Sequence, residues 1–156
     1  MSETGLLENK VIVYQLEEEE YALLVQHVGA IEKVLPITRV PNMPEFVKGV
    51  INLRGIVTPV IDLKERFYHK STEFTEQTRI IIVSLEDITV GLIVDSANDV
   101  IDIQPDHIEP SPEAIGSVVV DYISGVIKLD ERLLILLDLQ KVLNKAEIND
   151  LKTMEG

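Results

Sequence analysis

Short apolar runs separated by polar turns dominate the first hundred residues. Runs at residues 11–16 and 21–25 enclose four glutamates, and runs at 80–85 and 90–94 enclose the segment EDIT. Two apolar runs joined by about four polar residues are typical of a β-hairpin. Val and Ile predominate in these runs, and β-branched side chains favour strands. The pattern therefore predicts an all-β protein.

The two hairpins are related by an offset of 69 residues, which indicates a duplication. Farther along, the offset becomes 76, and GVINL at residues 49–53 matches GVIKL at 125–129. In both halves an aspartate lies 13 positions after a glycine: Asp62 follows Gly49, and Asp138 follows Gly125. Each half supplies four or five short strands, as small barrels do. A half of about 70 residues is marginal alone, so we expect the halves to pack along a seam.

The remaining elements are predicted to be helices and turns. Residues 42–49 resemble one helical turn, and residues 138–154 form an amphipathic pattern. Asp62 and Asp138 are expected to cap helices rather than to form a catalytic pair. We expect one domain over residues 1–156, with a first barrel at 10–75, a second at 76–137 and a C-terminal helix at 138–154. The predicted buried face of that helix carries Leu139, Val142, Leu143 and Ala146.

Charge and composition exclude several functions. The formal net charge is −13 and the chain has no cysteine. An acidic surface repels phosphate groups, so we expect no nucleic-acid partner. No apolar run approaches the ~20 residues that cross a bilayer, and the N-terminus lacks a signal-sequence pattern. The expectation is a soluble cytoplasmic protein without direct membrane insertion.

Candidate chemistry is sparse. The histidines, His27, His69 and His107, lack the spacing of metal ligands, and no glycine-rich phosphate loop or nucleophile elbow is present. We therefore expect no catalytic residue, no metal and no cofactor. The glutamates at 17–20 read as a solvated hairpin tip. An alternative stays open: a small ligand-binding or enzymatic β-barrel protein with a pocket between the halves.

Arg54 breaks the correspondence between the halves, since Asp130 occupies the matching position. Duplication of the fold therefore does not require an arginine there. Two interpretations remain: a solvent-exposed turn residue, or a planar set of donors offered to a partner.

Residues 46–63, FVKGVINLRGIVTPVIDL, resemble the signature of the CheW family of bacterial chemotaxis coupling proteins. ITRVPN at 37–42 and Val94-Asp95 also fit, so the resemblance covers essentially the whole chain. It implies two intertwined five-stranded SH3-like β-barrels with short helices and no catalysis. It also implies an adaptor in signal transduction that bridges chemoreceptor cytoplasmic tips to the regulatory domain of the histidine kinase CheA. Such an adaptor would be recruited to receptor clusters at the inner face of the membrane.

The resemblance also implies roles for individual residues. A groove between two barrels suits the face of a receptor helix, and we expect Val28 and Val100 to line it. The family often has a glutamate where this chain has Ala30; if that carboxylate contacts the receptor or the kinase in relatives, this chain must use another group. The residues implied to bind the receptor are Val25, Val28, Ile31, Gly49, Asn52, Val94 and Val100, and those implied in kinase coupling are Leu53, Arg54 and Gly55.

Within the family, the alternatives are an isolated regulatory domain of the kinase and the adaptor half of a coupler fused to a receiver domain. The chain length and the C-terminal helix favour a stand-alone coupling protein.

Overall fold

A computed structural model describes residues 10–85, 87–109 and 122–155. Within these ranges the strands are β1 (Lys10–Leu16), β2 (Glu19–Leu24), β3 (Val28–Lys33), β4 (Val47–Leu53), β5 (Ile56–Asp62), β6 (Arg79–Leu85), β7 (Ile88–Val94), β8 (Ser96–Asp102), β9 (Ile108–Glu109), β10 (Ile123–Leu129) and β11 (Arg132–Leu137). The helices are α1 (Leu63–Tyr68), α2 (Leu139–Val142) and α3 (Lys145–Glu155), and the 3-10 turns are Val25–His27 and Pro105–His107.

The strands form two sheets, and each sheet takes strands from both halves of the chain. One has the order β8-β1-β2-β11-β10-β9, and the other has the order β3-β6-β7-β5-β4. This confirms the predicted all-β class of two intertwined SH3-like barrels, with the two-residue β9 as a sixth strand in the first sheet. The expected boundary between residues 75 and 76 does not separate the barrels, because β1 and β2 pair with β8 and β11.

The pairing registers confirm the duplication. Hairpins β1–β2 and β6–β7 agree after a displacement of 69 residues: Ile12 lies opposite Leu23, and Ile81 lies opposite Leu92. Hairpins β4–β5 and β10–β11 agree after a displacement of 76, and both contain a bulge beside the matched glycine. The parallel pairs β5–β7 and β2–β11 correspond in the same way. The two offsets in the sequence therefore describe two copies of one strand arrangement.

Within the described residues, three groups of buried side chains form the core. One fills the barrel of the first sheet and includes Val11 and Leu134, and another fills the barrel of the second sheet and includes Ile80 and Ile82. The third combines side chains of both sheets with those of the helices, and we call it the inter-barrel core. Strand β6 is buried on both faces, because Ile80 and Ile82 point into the barrel while Ile81 points into the inter-barrel core. This explains why its apolar run is continuous.

Gly49 lies where another backbone segment crosses β4. Thr38 and Val50 exchange two backbone hydrogen bonds of 2.8 and 2.9 Å, which join the segment after β3 to β4. They close the barrel of the second sheet, which we call the second barrel from here on. A Cβ at Gly49 would lie 2.0 Å from the Thr38 carbonyl oxygen, and φ is +142°. Gly125 has the matching place, since its Cβ would lie 2.7 Å from the Glu109 carbonyl oxygen in β9. Both glycines therefore permit a close backbone crossing.

The helical turn predicted at residues 42–49 is wrong. Turns occupy residues 41–46, and strand β4 begins at Val47. The pairing of Thr38 with β4 holds residues 47–50 extended, and Asn42 has a left-handed backbone with φ 64°. That pairing lies outside the local sequence, so the apparent cap and terminating glycine were misleading.

The predicted capping role of the two matched aspartates is confirmed. The Asp62 carboxylate accepts hydrogen bonds from the backbone N–H groups of Lys64 and Glu65 at 3.0 and 3.3 Å. Asp138 accepts from the backbone N–H of Gln140 at 3.1 Å. Each aspartate thus starts the helix that follows the last strand of its hairpin.

The predicted C-terminal helix is divided into α2 and α3. The side chain of Asn144 accepts a hydrogen bond from the Glu147 backbone N–H at 2.8 Å, and Glu147 accepts one from the Asn144 N–H at 2.9 Å. This reciprocal pair is a capping box, which begins a new helix. Ala146 is exposed rather than buried, because α3 turns Ile148 and Leu151 towards the core. The other predicted core positions, Leu139, Val142 and Leu143, are buried.

The acidic hairpin tip is shorter than expected and has partners within the chain. Glu19 and Glu20 belong to β2, which leaves Glu17 and Glu18 as the turn. Glu17 lies 3.9 Å from the ammonium groups of Lys64 and Lys70, and Glu20 lies 2.8 Å from the Arg132 guanidinium.

Candidate functional site

The β4–β5 hairpin presents an exposed, tightly bent turn, residues 52–55, which we call the coupling turn. Arg54 and Gly55 both have positive φ, 52° and 87°, as a two-residue hairpin turn requires. The Asn52 side-chain oxygen accepts a hydrogen bond from the Gly55 N–H at 2.7 Å and stabilises the bend. Asp130 in the matching turn also has positive φ, 46°. The backbone geometry is thus shared by both halves, whereas the arginine side chain is not.

Among the described residues, Arg54 makes one ion pair. Its Nη2 lies 2.9 Å from Oε2 of Glu32 on β3, and 71% of the Arg54 side chain remains exposed. Glu32 is more enclosed, at 20%. An exposed pair of this kind adds little stability. Most donors of the guanidinium therefore remain available to an acceptor on a partner.

Apolar side chains beside the coupling turn extend the exposed surface. Ile56 is 65% exposed and Val57 is 42% exposed, at the start of β5. Leu53 is half-buried. The expectations from sequence missed Ile56 and Val57. The signal was present, because residues 56–57 place two consecutive apolar side chains directly after a turn, where a polar residue is usual.

Strands β3 and β8, edge strands of the two sheets, each expose one apolar side chain, and we use the name β3–β8 groove for these two positions. Ile31 on β3 is 38% exposed and Val100 on β8 is 58% exposed. The two positions correspond under the 69-residue offset, since Ile31 pairs with Ile81 and Val100 pairs with Ile12. Val28 on β3 and Ala97 on β8 pack against the inter-barrel core, so these edge strands of the two sheets border it.

The expected groove along the whole seam is mostly closed. Val28 is half-buried and packs against the inter-barrel core, while Val94 is 0% exposed inside it. Val25 is half-buried in its 3-10 turn, and Gly49 is buried beneath Thr38. Direct contact with a partner is therefore open to Ile31 and Val100, whereas Val94 and Gly49 support the fold. The burial of Val94 and Gly49 contradicts the expectation that either residue contacts the receptor directly.

Position 30, where the family often has a glutamate, is alanine in this chain, and the carboxylate beside the coupling turn belongs to Glu32. Ala30 packs against the core of the second barrel. Glu32, two residues along β3, points to the same side of the strand and reaches Arg54. The group that contacts the coupling turn thus comes from a neighbouring position on the same face.

An open cleft of about 880 Å³ lies on the second barrel beside the start of β4. Its polar part is a network in which Ser71 donates to Glu65 at 2.7 Å and Lys48 donates to Ser71 at 3.0 Å. The hydrogen bond from Ser71, assisted by Lys48, lowers the pKa of Glu65. A carboxyl group held ionised in this way is poorly suited to general-acid catalysis. The cleft also does not lie between the two halves, where an enzyme pocket was considered.

Neither metal-binding nor membrane-spanning features emerge from the described part of the chain. Over residues 10–85, 87–109 and 122–155, no group of three or more His, Asp or Glu side chains is arranged to hold a metal ion. Within the same ranges, no helix has the length and apolar character needed to cross a bilayer.

Comparison with known proteins gives this arrangement a family. Residues 10–147 match the family described as CheW-like domain. The chain belongs to this family. The chemotaxis protein CheW of Bacillus subtilis (strain 168) is 46% identical over 136 residues, which cover 87% of each chain. The chemotaxis protein CheW of Klebsiella aerogenes is 35% identical over 137 residues, which cover 88% of this chain and 82% of that protein.

A solved structure of a CheW-like protein has the same fold. The crystal structure of the scaffolding protein TtCheW from Thermoanaerobacter tengcongensis matches with a TM-score of 0.82 and 35% identity, over 94% of this chain and 95% of that chain. Membership in the CheW-like family and this scaffolding relative support a role as a chemotaxis coupling adaptor. A scaffolding family also points to a non-enzymatic protein.

Proposed function

We propose that this chain bridges the cytoplasmic tips of chemoreceptors to the regulatory domain of the histidine kinase CheA, and that it transmits receptor signals to the kinase. The observation that carries the proposal is the family match over residues 10–147, which includes the NLRG motif of the coupling turn. In this proposal the protein acts at receptor clusters on the inner face of the membrane.

The β3–β8 groove is proposed as the receptor surface. A receptor tip is a helical hairpin, and helices dock by placing an apolar face against an apolar groove. Exposure of Ile31 and Val100 on the two edge strands supports this assignment. The half-buried Val25 and Val28 are proposed to shape the edges of the same surface, whereas Asn52, which the resemblance also implied in receptor binding, lies in the coupling turn and holds its bend.

The coupling turn is proposed as the kinase-coupling surface, and the residues of the turn that are proposed to take part in kinase coupling are Leu53, Arg54 and Gly55. An exposed arginine beside exposed apolar side chains has the composition of an interaction hot spot. Ile56 and Val57 extend the proposed contact.

The receptor assignment is tested with Val100→Glu and Ile31→Glu in a pull-down with a receptor cytoplasmic fragment. Leu133→Glu is the matched control, because Leu133 is 51% exposed on β11, which β1 and β2 separate from β8 in the first sheet. We expect each groove variant to lose about tenfold or more in affinity, as burying an unpaired charge in a hot spot does. Val28→Glu is less informative, because Val28 packs against the core. Equal binding by folded groove variants and control would contradict the assignment.

The coupling assignment is tested with Arg54→Glu in a mixture of receptor fragment, kinase and this protein, with kinase autophosphorylation as the readout. We expect the variant to fold and to lose receptor-controlled activation. Full activation would reduce Arg54 to a turn residue. No activation by the unaltered protein, with receptor and kinase both active, would contradict the proposed function itself.

A further inference from the structure

We propose that Glu32 is a positioning residue through which strand β3 links the receptor groove to Arg54 of the coupling turn. This inference rests on the proposed function and assigns a regulatory role to a residue that the resemblance did not point to. Strand β3 contacts the receptor with one face and holds Arg54 with the other, so a shift of the strand on receptor binding reaches the kinase-coupling surface.

The two faces of β3 follow from its pairing with β6. Ile31 lies opposite Ile81, whose side chain belongs to the inter-barrel core, so Ile31 faces the groove. Glu32 lies opposite Ile80, whose side chain belongs to the core of the second barrel. Adjacent residues of one strand therefore face the two proposed partner surfaces.

The position of β3 in the sheet allows it to move. It is an edge strand of the second sheet, and among the described strands it forms a ladder with β6 alone. The register shifts between Val28 and Ala30, so a bulge at Gly29 interrupts the ladder next to the groove. An edge strand has a row of unpaired backbone groups, and a bulge leaves a residue out of the ladder, so fewer hydrogen bonds hold β3 in place than hold a central strand.

The ion pair is not required by the fold. In the first sheet the positions that correspond to Glu32 and Arg54 are Ile101 and Asp130, which cannot form an ion pair. Hairpin β10–β11, whose turn contains Asp130, nevertheless has the same pairing register as hairpin β4–β5. Because the same strand arrangement forms in the first sheet without such a pair, its presence in the second sheet calls for a functional explanation.

Geometry also permits Arg54 to bind Glu32 and a partner together. The pair is made through Nη2 of Arg54 and Oε2 of Glu32, at 2.9 Å. A guanidinium has five N–H donors in a planar arrangement, so others remain free while this bond fixes the direction of the side chain. Glu32 therefore sets where the free donors point, and it need not contact the partner itself.

The first test is a double-mutant cycle in the reconstituted mixture of receptor fragment and kinase. Glu32→Gln should reduce receptor-controlled activation about threefold to tenfold, which is the size of typical coupling effects. Combining it with Arg54→Ala should cause no further loss beyond Arg54→Ala alone, since both variants interrupt one interaction. Independent, multiplying losses would overturn the proposal.

The matched control is Asp102→Asn. It removes an exposed carboxylate that forms an ion pair of 2.7 Å with Lys10. This pair joins edge strand β8 to β1 and does not involve the coupling turn. We expect it to keep activation within twofold of the unaltered protein and to unfold at nearly the same denaturant concentration as Glu32→Gln. An equal loss of activation in Asp102→Asn and Glu32→Gln would show a general effect of charge, and would overturn the proposal.

The second test needs no kinase, and its result can be interpreted even if this protein does not activate the kinase. The Nε–H signal of Arg54 in an NMR spectrum should shift when the receptor fragment binds the unaltered protein. This shift should shrink by at least about half in Glu32→Gln at saturating fragment, because the link from β3 is lost. An undiminished shift would overturn the role of Glu32 while leaving the proposed adaptor function in place. Absence of receptor binding by the unaltered protein would contradict the adaptor function.

Discussion

At the scale of single residues, the glycines differ sharply in what surrounds their Cα atoms. We predict that Gly49→Ala destabilises the protein by about 3 kcal/mol or more, because its Cβ would collide with the Thr38 backbone and its φ is positive. Gly55→Ala should cost about 1 kcal/mol, since it has positive φ but open space. Gly29→Ala, whose Cβ would meet nothing closer than 3.8 Å, should be nearly neutral. Denaturant unfolding measures all three, and equal losses would contradict the steric account.

Two buried tyrosines at the seam give a second residue-scale prediction. The Tyr14 hydroxyl is buried without a hydrogen-bond partner among the described residues, whereas the Tyr21 hydroxyl lies 2.6 Å from that of Tyr68. Tyr14→Phe should therefore be neutral or slightly stabilising, and Tyr21→Phe should lose about 1 kcal/mol. Comparing their unfolding free energies checks this. A larger loss for Tyr14→Phe would require a partner for its hydroxyl.

Residue roles were predictable from the sequence where they depend on neighbours along the chain. The aspartate caps at 62 and 138 were predicted correctly, because a cap bonds to N–H groups two or three residues away. Gly49 was found by its spacing, yet its reason, the crossing by Thr38, depends on contacts between distant segments. The partner of Arg54 could not be predicted for the same reason, since Glu32 is brought close only by closure of the barrel.

At the scale of elements, helix α3 is anchored to the second barrel through Arg66 of α1. The Arg66 guanidinium makes two bonds of 3.1 and 3.0 Å to Glu147, donates to the Val142 carbonyl at 3.1 Å, and lies 4.4 Å from the centre of the Phe46 ring. Only 18% of either charged side chain is exposed. Such a pair is much less screened by solvent than a surface ion pair.

We predict that Arg66→Ala destabilises the protein by about 2–4 kcal/mol, because it leaves the enclosed Glu147 carboxylate unpaired. Arg132→Ala is the control, since its pair with Glu20 is about 40% exposed and should contribute under about 1 kcal/mol. Hydrogen exchange should show earlier opening of residues 145–155 in Arg66→Ala. Uniform opening of the whole chain would contradict a local anchoring role.

The sequence predicted the strands and hairpins well, because the apolar runs and turns are local signals. It joined α2 and α3 into one helix, because the apolar spacing continues through residues 143–144 while the capping box at Asn144 and Glu147 interrupts the backbone. Tertiary packing decided the outcome: turning α3 buries Ile148 and Leu151 instead of Ala146.

At the scale of the whole molecule, duplication produced an exchange of strands rather than two separate barrels. The sequence revealed both halves and their register, but it contains no local signal for which sheet each strand joins. Strands β1 and β2 therefore lie in the sheet opposite to β3, β4 and β5, although all five belong to the same half. The inter-barrel core is consequently built from both halves, and the seam is a shared interior with partner surfaces at its edges.

This exchange predicts that neither half folds alone. A fragment of residues 1–77 would lack β6, which is the ladder partner of β3, and β7, which pairs with β5. Its β1 and β2 would also lose β8 and β11. We expect fragments 1–77 and 78–156 to be separately unfolded by circular dichroism, and to recover the strand spectrum and one cooperative unfolding transition when mixed. Cooperative unfolding of 1–77 alone would show that contiguous barrels can form, and that the exchange of strands is not needed for stability.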